Sequence, residues 1–201
     1  MLGYEKFSLR EMLEELGEEK VCSILSEFSC PMNQDVEYFL KNKAIEFEKH
    51  RWSATQLIYT SYKNAPVLIG YYSLANKTLV IDNQQISKSL RKRLTSFSTY
   101  DPKIKRRVIS APLIGQLGKN FSRGYNKLVT GDELLRMALD DVETIQMLLG
   151  GKIVYLECED KPCLVDFYSR NGFVMFDRRT LDKDETNISG EYLLQMLKVL
   201  K

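Results

Sequence analysis

The sequence predicts a mixed α/β domain, on three observations. The opening has helical periodicity, and from Ala54 the texture changes to short segments rich in β-branched and aromatic residues. The second half then alternates strand-like and helix-like stretches, the order expected when strands and helices share a layered core. The 201 residues suit one domain or a domain with a modest extension, and 44% hydrophobic with 28% charged residues can build an ordinary core.

The elements follow in order. "SLRE", Ser8 to Glu11, has capping-box spacing, and Leu9, Met12, Leu13 and Leu16 form a stripe that Gly17 interrupts. A second helical piece carries Val21, Ile24, Leu25 and Phe28. A third starts at Asn33 as N-cap, with Val36, Phe39, Leu40, Ile45 and Phe47 directed inward, so the whole opening reads as helical. "ATQLIYTSY", "APVLIGYYSLA" and "KTLVID" read as a three-stranded antiparallel meander, with "KNAP" and "NK" as its turns.

A basic stretch follows, with Lys88, Arg91, Lys92, Arg93, Lys103, Lys105, Arg106 and Arg107, and then the strand "VISAPLIGQLG". Its Leu90, Leu94 and Phe97 form one apolar stripe, which favours a solvated helix over a binding face. Thr130 and Glu133 make a second capping box before a helix lined by Leu134, Leu135, Ala138, Val142, Ile145 and Leu149, and Gly150 and Gly151 end it. "KIVYLECE" is a strand, "KPCLVDFYSRNG" a short helix between Pro162 and Gly172, and "FVMFDRR" a strand.

Bulk properties exclude several classes. A net charge of +2 argues by itself for neither nucleic acid nor membrane. No apolar run approaches the ~20 residues that span a bilayer, and the start lacks the pattern of a signal peptide. The expectation is a soluble cytoplasmic protein with no membrane partner. Cys22, Cys30, Cys158 and Cys163 form no paired sets and the chain has a single histidine, so reduced thiols and no metal site are expected. His50 and Trp52 read as packing residues beside a turn.

Two segments carry possible chemistry. "LGKNFSRGYNKLVTGDELL", Leu117 to Leu135, runs from a strand end through a basic loop into a capped helix. Lys119, Arg123 and Lys127 suit an anion, as do the helix N–H groups near Gly131, whereas Asp132 and Glu133 oppose one. In "FYSRNGF" the Tyr168 hydroxyl, with an ordinary pKa of ~10, is suited to protonate a leaving thiolate. Phe167 and Tyr168 as plain packing aromatics is the competing reading.

In this order, "LIGYYSLA", the basic glycine loop, the capped helix and "FYSRNGF" resemble the GNAT superfamily of acetyl-CoA-dependent N-acetyltransferases. "FSCPMNQDVEYFLKNKA" resembles the opening of bacterial members, some of which acetylate aminoacyl-tRNA as toxins. The resemblance implies a GNAT fold, a mixed and mostly antiparallel central sheet with flanking helices. Residues 28–201 would form the acetyltransferase domain, behind an N-terminal helical extension over 1–27. It implies acetyl-CoA as acyl donor, direct transfer to a primary amine, and "EYLLQMLKVL" as the last strand although its composition also suits a helix.

Residue by residue, the resemblance places Gln116, Leu117 and Gly118 on the strand that holds the pantetheine arm, splayed from "KIVYLECE". Phe167 would pack beside the pantetheine, and Tyr168 would be the general acid. Lys119, Arg123, Gly124, Lys127, Thr130 and Gly131 would surround the pyrophosphate. The family's compact glycine run is absent here, so an enlarged loop that still wraps the pyrophosphate and a loop that no longer binds it both stay open. The intact flanking strand and helix favour the first. "VISAPLIGQLG" lacks the carboxylate many relatives place there. Glu157 is the candidate general base, with Glu159 on the same face by alternation; plain surface charge is the competing reading for each, and a water-mediated or base-free reaction also fits. The alternative function is a non-catalytic GNAT-fold module that binds RNA or a protein partner through the basic 88–107 segment. The amine acceptor and the oligomeric state, a homodimer included, are not legible.

Overall fold

The computed structural model describes residues 3–182, 187–188 and 190–200. The chain forms two compact units, one from Met1–Ala75 with Gly115–Ala138, the other from Asn76–Ile114 with Leu139–Lys201. The 27/28 boundary read from the sequence therefore falls inside the first unit.

In the first unit, β1 (Tyr4–Ser8) pairs antiparallel with β2 (Ala54–Tyr62), which pairs antiparallel with β3 (Ala65–Asp82). The opening is thus not wholly helical. Ser8 ends a strand, and although its backbone has N-cap geometry, its side chain makes no capping bond to α1 (Leu9–Leu16). Then come α2 (Glu18–Ser26), α3 (Gln34–Tyr38), a π-helical turn (Phe39–Lys43) and α4 (Ala44–Lys49). Asn33 caps α3 as expected, its side chain accepting from the N–H groups of Asp35 and Val36 at 3.0 and 3.2 Å. Leu9, Val21, Leu25, Phe28, Val36, Leu40 and Tyr71 are buried together in this unit's core. Burial of a side chain of this size contributes roughly 1.5–3 kcal/mol.

The β2–β3 hairpin turns at Lys63 and Asn64, both with positive φ (51° and 62°), the requirement of a tight turn whose twist matches the strands. The register shifts between Ile58 and Tyr59, leaving Ile69 as an extra residue on β3. The "NK" turn expected at Asn76 and Lys77 does not form. β3 continues through it, so two expected strands are one, and Asn76 accepts a hydrogen bond from Ser110 at 3.2 Å.

In the second unit, α5 (Lys88–Thr95) starts at Ser87, whose hydroxyl accepts from the Leu90 N–H. β4 (Thr99–Asp101) pairs with β5 (Arg106–Lys119), and β5 pairs in parallel with β6 (Ile153–Cys158) at Leu113↔Tyr155 and Ile114↔Leu156. α6 (Gly131–Leu149) begins in the first unit and ends in the second. α7 (Pro162–Arg170) leads into β7 (Val174–Thr180), and β8 (Tyr192–Val199) pairs antiparallel with both β6 and β7. The segment is therefore a strand: pairing on both sides, with Leu193, Leu194, Met196 and Leu197 buried on both faces, overrides its helical composition. The strand order is β1-β2-β3-β5-β6-β8-β7. Leu79, Ile81, Leu90, Leu94, Ile109, Tyr155 and Phe176 belong to the second unit's core, with Phe97 packed against it. Leu149, expected inward, is 81% exposed.

Candidate active site

In the first unit, the end of β5 is fixed by α3 and by the segment that precedes it. A Cβ on Gly118 would lie 2.3 Å from Val36 Cγ1, so only glycine lets the α3 segment approach this strand. Gln116 donates from Nε2 to Asp35 Oδ2 at 2.9 Å. Asn120, which the sequence reading did not single out, is buried and bonded throughout. Its Oδ1 accepts from the Ser29 and Ser122 N–H groups at 3.0 Å, and its Nδ2 donates to the Leu68 carbonyl at 2.8 Å. No periodicity marks it, because one asparagine after a strand looks like an ordinary turn residue.

The loop beyond is a 3₁₀ segment, Ser122–Lys127, interrupted where Arg123 and Gly124 take positive φ (52° and 77°). Its expected anion ligands are partly engaged. Lys119 donates from Nζ to the Asn126 carbonyl at 3.1 Å, and the exposed Arg123 guanidinium lies 3.7 Å from Glu27. Lys127 is exposed, and no acid pairs with it among the described residues. The second capping box forms as the sequence predicts. Thr130 donates from its N–H and hydroxyl to Glu133 Oε2 at 2.8 and 2.7 Å, and the Glu133 N–H donates back at 3.1 Å. The Thr130 N–H, then its hydroxyl, hold the Glu133 carboxyl below the usual range. Gly131 is the first residue of α6, and Leu117 is half-buried on β5.

In the second unit, Pro162 starts α7 and Gly172 (φ 84°) stops it, its N–H donating to the Ser169 carbonyl. The Phe173 N–H donates to the Tyr168 carbonyl at 3.0 Å, folding Phe173 beneath the helix end. The Tyr168 ring meets Phe167 and Phe173 edge to face, at 4.9 and 5.8 Å. Burial, then the nearby Cys158, raises the Tyr168 hydroxyl above its ordinary range. That hydroxyl has no hydrogen-bond partner among the described residues. Such a group stays protonated at neutral pH and is available as a donor.

Glu157 is committed elsewhere. Its two oxygens accept from Arg179 Nε at 2.8 Å and Gln195 Nε2 at 2.7 Å, which restrains it as a base. Glu159 lies past the end of β6, so alternation does not govern it, and it pairs with Lys161 at 2.8 Å. Cys158 is buried against Met196, and burial pushes its thiol up to about 11, which disfavours a nucleophilic thiolate.

The basic segment divides in two. Arg91 and Arg107 both donate to Asn83, and Arg107 also donates to Ser98 Oγ at 2.9 Å, so these two are structural. Lys88, Lys92, Arg93, Lys103, Lys105 and Arg106 are exposed, with no acidic partner among the described residues. Among the described residues no group of His, Cys, Asp and Glu is placed to hold a metal ion, and no helix is long and apolar enough to cross a membrane.

No protein-family model matches the chain, and no curated protein matches it in sequence. Solved structures do resemble it. A bacterial toxin aligns with a TM-score of 0.64 at 16% identity, over 100% of this chain and 92% of that one. AtaT complexed with acetyl-methionyl-tRNAfMet aligns at 0.60 and 16% identity, over 96% and 94%. AtaTR bound with acetyl-CoA aligns at 0.55 and 14% identity, over 96% and 91%. Together with the strand order, the parallel β5–β6 pairing beside antiparallel ladders and the flanking helices, these likenesses show that the chain has the GNAT fold.

Proposed function

We propose that this protein is an N-acetyltransferase that moves the acetyl group of acetyl-CoA directly onto a primary amine. One observation carries the reading: in a GNAT-fold sheet, the parallel β5–β6 ladder ends at Ile114↔Leu156 while β5 runs on to Lys119. In this reading, main-chain groups around Gln116, Leu117 and Gly118 bond the pantetheine arm, and Phe167 flanks it. The 119–131 loop takes the pyrophosphate, chiefly through Lys127, since Lys119 and Arg123 already have partners. Binding aligns amine and thioester, and Tyr168 protonates the departing thiolate. A cytoplasmic setting goes with such a donor.

The exposed cations of α5 and the β4–β5 turn support RNA as the body of the acceptor, because unpaired surface charges are those that release counterions on meeting phosphates. AtaT's complex with acetyl-methionyl-tRNAfMet makes charged tRNA the first acceptor to assay. Incubation with acetyl-CoA and either methionyl-tRNA, a lysine-containing peptide or spermidine, following release of the CoA thiol, is expected to show amine-dependent turnover. Release no faster than spontaneous hydrolysis with all three would refute the reading.

A further inference from the structure

We infer that Asp35 is the proton acceptor for the incoming amine, an inference that rests on the acetyltransferase reading above. β5 carries no carboxylate between Arg106 and Lys119, and Glu157 is held by two donors. The fold compensates from another element. Asn33 caps α3 through the Asp35 and Val36 N–H groups, and the Val36 carbonyl accepts from the buried Tyr71 hydroxyl at 2.6 Å. Val36 in turn seats on Gly118. These contacts set α3 against β5, with the half-buried Asp35 on Gln116.

Only Oδ2 of Asp35 is engaged, by a neutral amide. Oδ1 has no partner among the described residues, and no cation pairs with the carboxylate. The titratable group that faces it is Tyr71 on β3, whose hydroxyl is raised by burial, then by Asp35 itself and by Cys30; Glu37 follows two residues on along α3. None is a cation that would neutralise it. A carboxylate with a free oxygen, beside the strand proposed to hold the pantetheine arm, is what an ammonium needs.

The step balances. The ammonium gives one proton to the Asp35 carboxylate, and the freed lone pair forms the C–N bond at the acetyl carbonyl. Collapse breaks the C–S bond, and the surplus proton on the new amide nitrogen passes through water to the departing CoA thiolate. Asp35 returns its own proton to solvent.

The test uses Asp35→Asn, which keeps an oxygen for Gln116 to bond, and Asp35→Glu, which keeps the carboxylate. Turnover is followed with whichever of methionyl-tRNA, a lysine peptide or spermidine wild type uses fastest. Asp35→Asn is expected to lose about 100-fold in turnover. It should retain the acetyl-CoA-dependent rise in melting temperature and recover activity as pH climbs toward the pKa of the free amine. Asp35→Glu should recover part of the rate at neutral pH. An Asp35→Asn enzyme with wild-type turnover and pH profile would overturn the role of Asp35 alone. A wild-type protein that turns over none of the three amines overturns the acetyltransferase reading and this inference with it.

Discussion

The stretch from Gln116 to Glu133 and the helix that carries Tyr168 are both marked in the sequence as sites of chemistry, yet the structure treats their polar groups in opposite ways. In the first, nearly every candidate ligand already has an internal role. Gln116 holds Asp35, Lys119 closes its own loop, Arg123 faces Glu27, and Thr130 and Glu133 cap each other. In the second, two aromatic rings fix Tyr168 while its hydroxyl stays uncommitted among the described residues. A residue type in the right place is thus only half of a site. The other half is whether neighbouring groups have left it free.

The largest effect that tests this contrast is on Tyr168. Tyr168→Phe removes one oxygen and keeps the ring, so turnover should fall by ~10²–10⁴ while the melting-temperature rise caused by acetyl-CoA persists. Unchanged turnover would put Tyr168 among the packing aromatics. On the other side, Gly118→Ala forces a methyl against Val36. A loss of roughly 1–3 kcal/mol is expected, a drop of several degrees in a thermal melt of a chain this size. A melt superimposable on wild type would mean that α3 yields easily.

What was legible follows the same division. Periodicity placed the helices and most strands, because burial repeats along an element and leaves a pattern. It also placed the Thr130–Glu133 box, whose partners lie within one turn. Ser8 carries the same spacing and makes no side-chain cap, because the preceding residues are a strand paired with β2. The join of two expected strands into β3, the Asn120 network and the Gln116–Asp35 contact depend on residues far apart in the chain. No local pattern announces such pairs.

Smaller effects sharpen the comparison. Thr130→Ala should cost about 1 kcal/mol as a lost cap. Glu133 has a lowered carboxyl pKa in the folded state, so its contribution is present above the unfolded-state value and is lost as pH falls through the folded one. The stability difference between wild type and Thr130→Ala should therefore shrink in acid. A gap that is constant from neutral pH into the acid range would show that the reciprocal bonds do not set the Glu133 titration. Smallest of all, Lys127→Glu should reduce the acetyl-CoA-induced melting shift more than Arg123→Glu, since Arg123 already faces Glu27. Equal effects would assign the pyrophosphate to the loop as a whole.

The central claim is that this GNAT fold takes acetyl-CoA, and a thermal melt of the wild-type protein against rising acetyl-CoA tests it most directly. Specific binding predicts a melting temperature that climbs with concentration, corresponding to about 2.7 kcal/mol of stabilisation at one hundred times the dissociation constant. A melting temperature that stays flat up to millimolar acetyl-CoA would contradict it.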